Sequence, residues 1–111
     1  MSATQSPGLI VLYRWRLVPG REAESADAWR SATEALLAYG SLGSRLHRGD
    51  DGLWYGYAQW PDEDTRERAF AHAGCDASLY ERMRACTLER LPEIRLAPVA
   101  DLLRLAHNAA S

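Results

Sequence analysis

The chain has 111 residues, of which 47% are hydrophobic and 25% are charged, a composition typical of one soluble globular domain. Its net charge of −2 excludes a global attraction to nucleic acid or to an anionic membrane surface. All 13 basic side chains are arginine, which favours planar, bidentate contacts over point charges.

The cysteines and the N-terminus indicate the compartment. Cys75 and Cys86 form no Cys-x-x-Cys motif, and His72 would add only a third ligand, so we expect reduced thiols and no metal site. The segment "MSATQSPG" lacks a positive n-region, and the apolar run that follows it is too short for a signal core or a membrane span. The cytoplasm is therefore the expected location.

The first predicted element is a strand from Leu9 to Val18, which follows a flexible N-terminus over residues 1–8. Pro19-Gly20 ends it. Its even positions carry Arg14 and Arg16 between apolar residues, whereas its odd positions are all apolar or aromatic: Leu9, Val11, Tyr13, Trp15 and Leu17.

A helix from Arg21 to Tyr39 follows, with acidic residues in its first turn and Gly40 as its C-terminal stop. Its predicted core face consists of Ala26, Trp29, Thr33, Leu36 and Leu37. Leu42 to Arg48 is a second strand, and a turn centred on Asp50-Asp51-Gly52 joins it to a third strand from Leu53 to Trp60. One face of this third strand carries Leu53, Tyr55, Tyr57 and Gln59, and the other carries Trp54, Gly56, Ala58 and Trp60.

The rest of the chain predicts two helices and a last strand. The second helix runs from Asp62 to Ala73 and is broken at Gly74. Asp76 or Ser78 is expected to cap a third helix that ends near Leu91-Pro92. The predicted last element is a strand from Ile94 to Leu103, with Pro98 placing it at a sheet edge, before a C-terminal tail over residues 104–111 that contains His107.

This order favours an α+β fold for residues 9–103, with a ferredoxin-like split βαβ arrangement and a four-stranded antiparallel sheet. The third strand lies between the first and second, and the fourth lies beyond the first. Helices can cover only one sheet face, yet both faces of the third strand are aromatic. Burial of the second face by an identical chain is the expected solution, giving a homodimer. Arg14 and Arg16 then lie on the dimer face, paired with carboxylates or Gln59; contact with an anionic ligand, or exposure on a monomer, are the alternatives.

Several stretches resemble the antibiotic biosynthesis monooxygenase (ABM) family over Leu9 to Leu103. These are the strand-Pro-Gly-acid entry to the first helix, Trp29, "GSLGSRLHR" and "YAQWPDEDTRERAF". The resemblance implies a dimeric α+β barrel with a pocket between sheet and helices, and it implies cofactor-independent oxygenation of aromatic phenols as one activity. Haem-degrading relatives use an Asn, a Trp and a His whose positions fall on or near Tyr13, Ala69 and Leu79. None of the three is kept, so haem degradation is not expected.

The predicted substrate-pocket residues are aromatic, and each has a structural alternative as part of the core. They are Tyr13, Trp15, Trp29, Trp54, Tyr57, Trp60 and Phe70. Trp54 and Trp60 flank Gly56 and Ala58, which either leave room for a flat ligand or allow close packing. His72 and Tyr13 are the candidate catalytic residues, because either could act on a phenolic proton; a solvated helix-end histidine is the alternative for His72.

Two functional hypotheses follow. The first is a homodimer that binds a hydrophobic aromatic small molecule and acts without a cofactor as a monooxygenase. The second is a non-catalytic binding or stress-associated protein of the same fold, with its cavity filled by its own side chains. An isomerase or lyase is a third option, which requires a titratable pair in the pocket.

Overall fold

A computed structural model describes residues 6–73 and 77–104. Predictions that concern Gly74, Cys75, Asp76, His107 and residues 1–5 lie outside the described residues. The elements, in chain order, are β1 (Leu9–Leu17), α1 (Glu22–Leu37), β2 (Ser44–Arg48), β3 (Trp54–Trp60), α2 (Glu63–Ala73), α3 (Ala77–Cys86) and β4 (Thr87–Leu96).

The strands form one antiparallel sheet in the order β2-β3-β1-β4, which confirms the predicted ferredoxin-like arrangement. Residues directly opposite each other in antiparallel strands share a face. Val11 lies opposite Ala58, and both belong to one core cluster with Leu36 of α1. The odd face of β1 and the even face of β3 therefore pack against the helices. Alternation in the sequence alone does not determine which face of β3 does so.

Helix α1 is rotated relative to the predicted core face. Its buried residues are Ser25, Ala28, Ala32 and Leu36. Leu37, predicted in the core, is 50% exposed. The reason is helix–helix packing, because Ala28 and Ala32 form a cluster with Leu79 of α3, and small side chains allow that close approach.

The boundary between α3 and β4 was predicted wrongly. Helix α3 ends at Cys86, not near Leu91-Pro92, and the strand that follows ends at Leu96, before Pro98. Residues 88–90 are good helix formers, but pairing with β1 overrides that preference. The Thr87 hydroxyl donates to the carbonyl of Met83 at 2.7 Å at this transition. Pro92 lies inside β4 at a register shift, where an edge strand tolerates its missing N–H.

Close packing of α1 on the sheet depends on Gly56. A Cβ at this position would lie 2.8 Å from Cζ2 of Trp29 and closer still to Cη2, so the indole occupies the space of the missing side chain. At Gly56, the structural alternative of the sequence analysis therefore holds. Within the described residues, no helix is both long and apolar enough to cross a membrane.

We predict that Gly56→Ala lowers the free energy of unfolding by about 1–3 kcal/mol, because it overpacks the contact with Trp29. Urea unfolding measures the loss. Trp29→Phe shortens the ring, so it should reduce the cost of Gly56→Ala in a double-mutant cycle. Strict additivity of the two substitutions would contradict this account of the contact.

Candidate ligand cavity

A cavity of about 600 Å³ lies between the helices and the sheet, within the usual range for small-molecule sites. Residues of all four strands and all three helices contribute to its wall. Its aromatic lining consists of Tyr13, Trp15, Trp29, Trp60, Phe70 and Tyr80.

One wall is a fixed group of rings. Trp29 stacks on Trp15 with centroids 5.5 Å apart and planes 25° apart, and it meets Tyr13 edge-on at 5.9 Å. The Trp29 indole N–H donates to the Ser44 hydroxyl at 2.9 Å, and the Ser44 and Thr33 hydroxyls are 2.6 Å apart. The stack on Trp15 and the hydrogen bond to Ser44 together fix the position of the indole. The ring is therefore a pre-positioned flat apolar surface.

A second part of the lining comes from β3 and α2. Trp60 is only 1% exposed, and its ring lies 5.8 Å from that of Phe70. Ala58, one of the small residues on β3, also lines the cavity. The space beside Ala58 thus remains part of the cavity, in contrast to the space at Gly56.

The polar part of the cavity is built around Arg66 of α2. Its side chain is 12% exposed, and one Nη atom donates to the Tyr13 hydroxyl at 2.9 Å. The guanidinium also lies 5.1 Å from the centroid of the Phe70 ring and 3.4 Å from a carboxylate oxygen of both Glu63 and Glu93. Tyr13, Arg66, Phe70 and Glu93 all line the cavity.

Arg95 closes a ring of charges with the same two carboxylates. Its nitrogens lie 2.9 Å from Glu63 and 2.9 Å from Glu93. Burial opposes the charge of Arg66, but the hydrogen bond to Tyr13 and the attraction of Glu93 outweigh it, so the pKa of the guanidinium lies above its usual value. The hydrogen bond from Arg95 holds the pKa of Glu63 below its usual value.

The start of α2 positions Arg66 one turn into the helix. The Asp62 carboxylate accepts the backbone N–H of Thr65 at 2.7 Å, which caps the helix. Hydrogen bonds from the side chain and backbone of Thr65 lower the pKa of Asp62. The Pro61-Asp62 sequence that ended the predicted third strand therefore also fixes where the Arg66 side chain emerges.

Charged residues surround the cavity on the side of α3 and β4. Leu88 lines it and is 65% exposed, so the cavity reaches solvent there. Arg84, Glu89 and Arg90 line the same region. Arg16 of β1 forms an ion pair with Glu89 at 3.2 Å.

The structure brings five of the seven pocket candidates together at the cavity: Tyr13, Trp15, Trp29, Trp60 and Phe70. Trp54 and Tyr57 are not among the described residues that line it. Trp54 packs beside Trp15 with Arg48 5.3 Å from its ring centroid, so neighbouring side chains cover it. Tyr57 lies opposite Leu12 on the sheet face away from the helices.

The two candidate catalytic residues lie apart. Tyr13 faces the cavity, whereas the exposed His72 stacks on Tyr39 with centroids 5.6 Å apart. His72 is not among the described residues that line the cavity. The described residues also contain no group of three His, Cys, Asp or Glu side chains that could hold a metal ion.

Sequence reasoning missed Arg66 and Glu93. Arg66 lies 53 positions from Tyr13 in the chain, and no local pattern shows that the two meet. Glu93 was assigned to no element, because the last strand was predicted to begin only at Ile94. With β4 placed correctly, alternation with Ile94 would have indicated that the Glu93 side chain faces the helices.

We predict that Asp62→Ala lowers the melting temperature at pH 7 more than Asp62→Asn does, because asparagine retains a capping oxygen. The folded-state pKa of Asp62 is depressed, so its charge stabilises the fold above the ordinary carboxyl pKa, and the effect is lost as pH falls through the folded-state value. Thermal melts from pH 7 down to about pH 2 should show wild type and Asp62→Asn converging. A constant difference at all pH values would contradict the assignment.

Comparison of the sequence with protein-family models found no match, and comparison with curated proteins found none either. Solved structures do match. SnoaB from Streptomyces nogalater, described as a cofactor-independent oxygenase, is 19% identical over 89% of this chain and 100% of its own, with a TM-score of 0.71. A candidate antibiotic biosynthesis monooxygenase from Bordetella bronchiseptica is 17% identical over 86% of this chain and 100% of its own, with a TM-score of 0.71. PA3566 from Pseudomonas aeruginosa is 22% identical over 88% of this chain and 100% of its own, with a TM-score of 0.64. At these identities the likeness concerns the fold, and the chain has the α+β fold of structures described as antibiotic biosynthesis monooxygenases.

Proposed function

We propose that the protein is a cytoplasmic homodimer whose cavity binds a hydrophobic, aromatic small molecule, with cofactor-independent monooxygenation as the candidate activity. The observation that carries the proposal is the cavity of about 600 Å³, with aromatic walls and a largely buried polar group centred on Arg66. Small-molecule sites commonly combine an apolar lining with a few polar groups that fix orientation.

The preference for an aromatic ligand follows from the wall chemistry. A flat ring can stack on the Trp15–Trp29 pair and meet Trp60 and Phe70 on another side. Aromatic pairs contribute about 0.5–1.5 kcal/mol beyond the area that they bury. Burial itself adds about 25 cal/mol per Å² of apolar surface, before the cost of association.

A phenol or ketone oxygen on the ligand suits the polar group. Arg66 is the donor in its hydrogen bond with Tyr13, so the Tyr13 hydroxyl can still donate its own proton to a ligand oxygen. For an electron-rich phenol, deprotonation gives an anion that can pass an electron to O₂. The protein would then contribute positioning and exclusion of water. SnoaB, with a similar fold, is described as a cofactor-independent oxygenase, which supports this reading.

The competing hypothesis is a binding protein without catalysis. This hypothesis predicted that the protein's own side chains would fill the cavity. The open volume of about 600 Å³ argues against a filled cavity. Binding without oxygen consumption would still leave a ligand carrier. Oxygen uptake therefore separates the two.

We predict that anthrone- and quinone-like compounds stabilise the protein against heat, by about 2.7 kcal/mol when the ligand is at 100 times its Kd. Ala58→Leu should abolish this stabilisation, because it adds bulk to the cavity lining. Ala35→Leu is the matched control, since Ala35 is exposed on α1. Absence of stabilisation by every compound, or equal stabilisation of both variants, would overturn the binding site.

Oxygen uptake by wild type with each stabilising phenol or anthrone tests the activity. We expect uptake that depends on enzyme concentration and is lost in Ala58→Leu. A ligand that binds without uptake would leave the non-catalytic alternative.

The proposal of a homodimer is based on the sheet face that points away from the helices. Leu12 lies opposite both Tyr57 and Ile94 on this face, and Ile10 lies opposite Leu96. Ile94 is 37% exposed, and Leu96 is also exposed. Arg14 on the same face is half-buried and donates to the carbonyl of Pro92 at 3.1 Å, so it does not stand free in solvent. A second copy packed on this face would remove its apolar side chains from water.

We predict a dimer in sedimentation velocity at micromolar concentration, and we predict that Ile94→Arg weakens it at least tenfold, because the substitution places a charge in the interface. Leu37→Arg is the control, since Leu37 is exposed on α1. A folded wild-type monomer at this concentration would exclude the dimer.

A further inference from the structure

We propose that Glu93, Tyr13 and Arg66 form a proton-transfer site that enolises a ketone held in the cavity, without oxygen or a cofactor. This inference rests on the proposed binding of an aromatic ligand. It assigns a proton acceptor to the cavity and a reaction that does not depend on O₂.

The geometry brings the three groups to one place. The same Nη atom of Arg66 lies 2.9 Å from the Tyr13 hydroxyl and 3.4 Å from a carboxylate oxygen of Glu93. All three residues line the cavity. They come from β1, α2 and β4, so the sheet and a helix together hold the group. This arrangement supplies the titratable pair that an isomerase or lyase needs.

The hydrogen-bond directions give the two oxygens different roles. Arg66 donates to Tyr13, which leaves the Tyr13 O–H able to donate to a ligand oxygen. The Glu93 carboxylate, as the partner of two arginines, accepts hydrogen bonds and donates none. Arg66 and Arg95 contact Glu93 through one of its oxygens, Oε2, and the carboxylate retains further lone pairs.

The surroundings suit transfer of a proton from carbon. The Glu93 side chain is 25% exposed, so it is within reach of solvent, whereas the Arg66 side chain is only 12% exposed and donates from a largely buried position. Fixed donors in such a site stabilise developing negative charge more strongly than water does.

Glu93 takes a proton from the carbon next to the carbonyl, so the C–H bond breaks and an O–H bond forms. The C–H electron pair becomes the C=C bond, and the carbonyl π pair moves to oxygen. Tyr13 and Arg66 donate hydrogen bonds to that enolate oxygen. Return of a proton, or of a deuteron after exchange with solvent, to the same carbon completes a cycle with no net oxidation.

The test uses 2-tetralone, a cyclic ketone fused to a benzene ring and bearing acidic benzylic C–H bonds, in D₂O under argon. Proton NMR follows the loss of its α-hydrogen signals, and a titration under the same conditions gives its Kd. We expect wild type to accelerate exchange above the buffer rate and Glu93→Gln to slow the enzymatic rate about 10²-fold with Kd changed less than threefold. Tyr13→Phe should slow it about tenfold.

Two further variants separate chemistry from structure. Glu93→Asp keeps the charge opposite Arg66 and Arg95 but withdraws it by one methylene, and it should slow exchange at least tenfold at unchanged Kd. It also serves if Glu93→Gln fails to fold. Glu34→Gln, on the exposed surface of α1, is the control and should leave exchange unchanged.

Each remaining outcome decides between the two proposals. Binding of 2-tetralone with no acceleration of exchange overturns the proton-transfer site and leaves the ligand cavity intact. Exchange that is equally fast in wild type and in both Glu93 variants also overturns it. No binding of 2-tetralone to wild type overturns this inference, and the ligand cavity falls with it only if the anthrone- and quinone-like compounds also fail to stabilise the protein.

Discussion

The contact between Trp29 and Gly56 is the constraint on which the rest of the structure depends. The indole occupies the place where any other residue at position 56 would carry a Cβ. In that position it can stack on Trp15 and donate to Ser44, so one side chain links α1 to β1, β2 and β3. The same indole lines the cavity, so the contact that packs α1 on the sheet also fixes part of the cavity wall.

The charged ring of Glu63, Arg66, Glu93 and Arg95 has a comparable role between α2 and β4. Its members alternate in sign, and each arginine reaches both carboxylates. Three of the four side chains are at least a quarter exposed, so the individual pairs add little to stability. The arrangement instead fixes the direction of the Arg66 guanidinium, which is the buried member. Orientation of one donor toward Tyr13 is thus the main consequence of the ring.

Alternation and turn chemistry were sufficient to predict the sheet. The helical crossover between β1 and β2 and the Asp50-Asp51-Gly52 turn placed β3 between β2 and β1, because few topologies satisfy both. The α3–β4 boundary could not be predicted in this way, since Leu88 to Arg90 favour a helix locally and become a strand only by pairing with β1. The aromatic side of the cavity follows from the same alternation. Its polar side does not, because Arg66 reaches Tyr13 only after α2 folds over the sheet.

Odd-numbered and even-numbered residues of β1 serve different proposed functions, ligand binding on one sheet face and dimerisation on the other. Tyr13 and Trp15 face the cavity, and Leu12 and Arg14 face away from the helices. Because successive side chains of a strand point to opposite faces, a ligand contact and an interface contact can be adjacent in sequence and still not touch. The proposed ligand binding and the proposed dimerisation should therefore respond to different substitutions on this strand. The backbone of β1 is central in the sheet and is hydrogen-bonded to β3 and β4. A side-chain substitution on one face is therefore expected to have little effect on the structure of the other face.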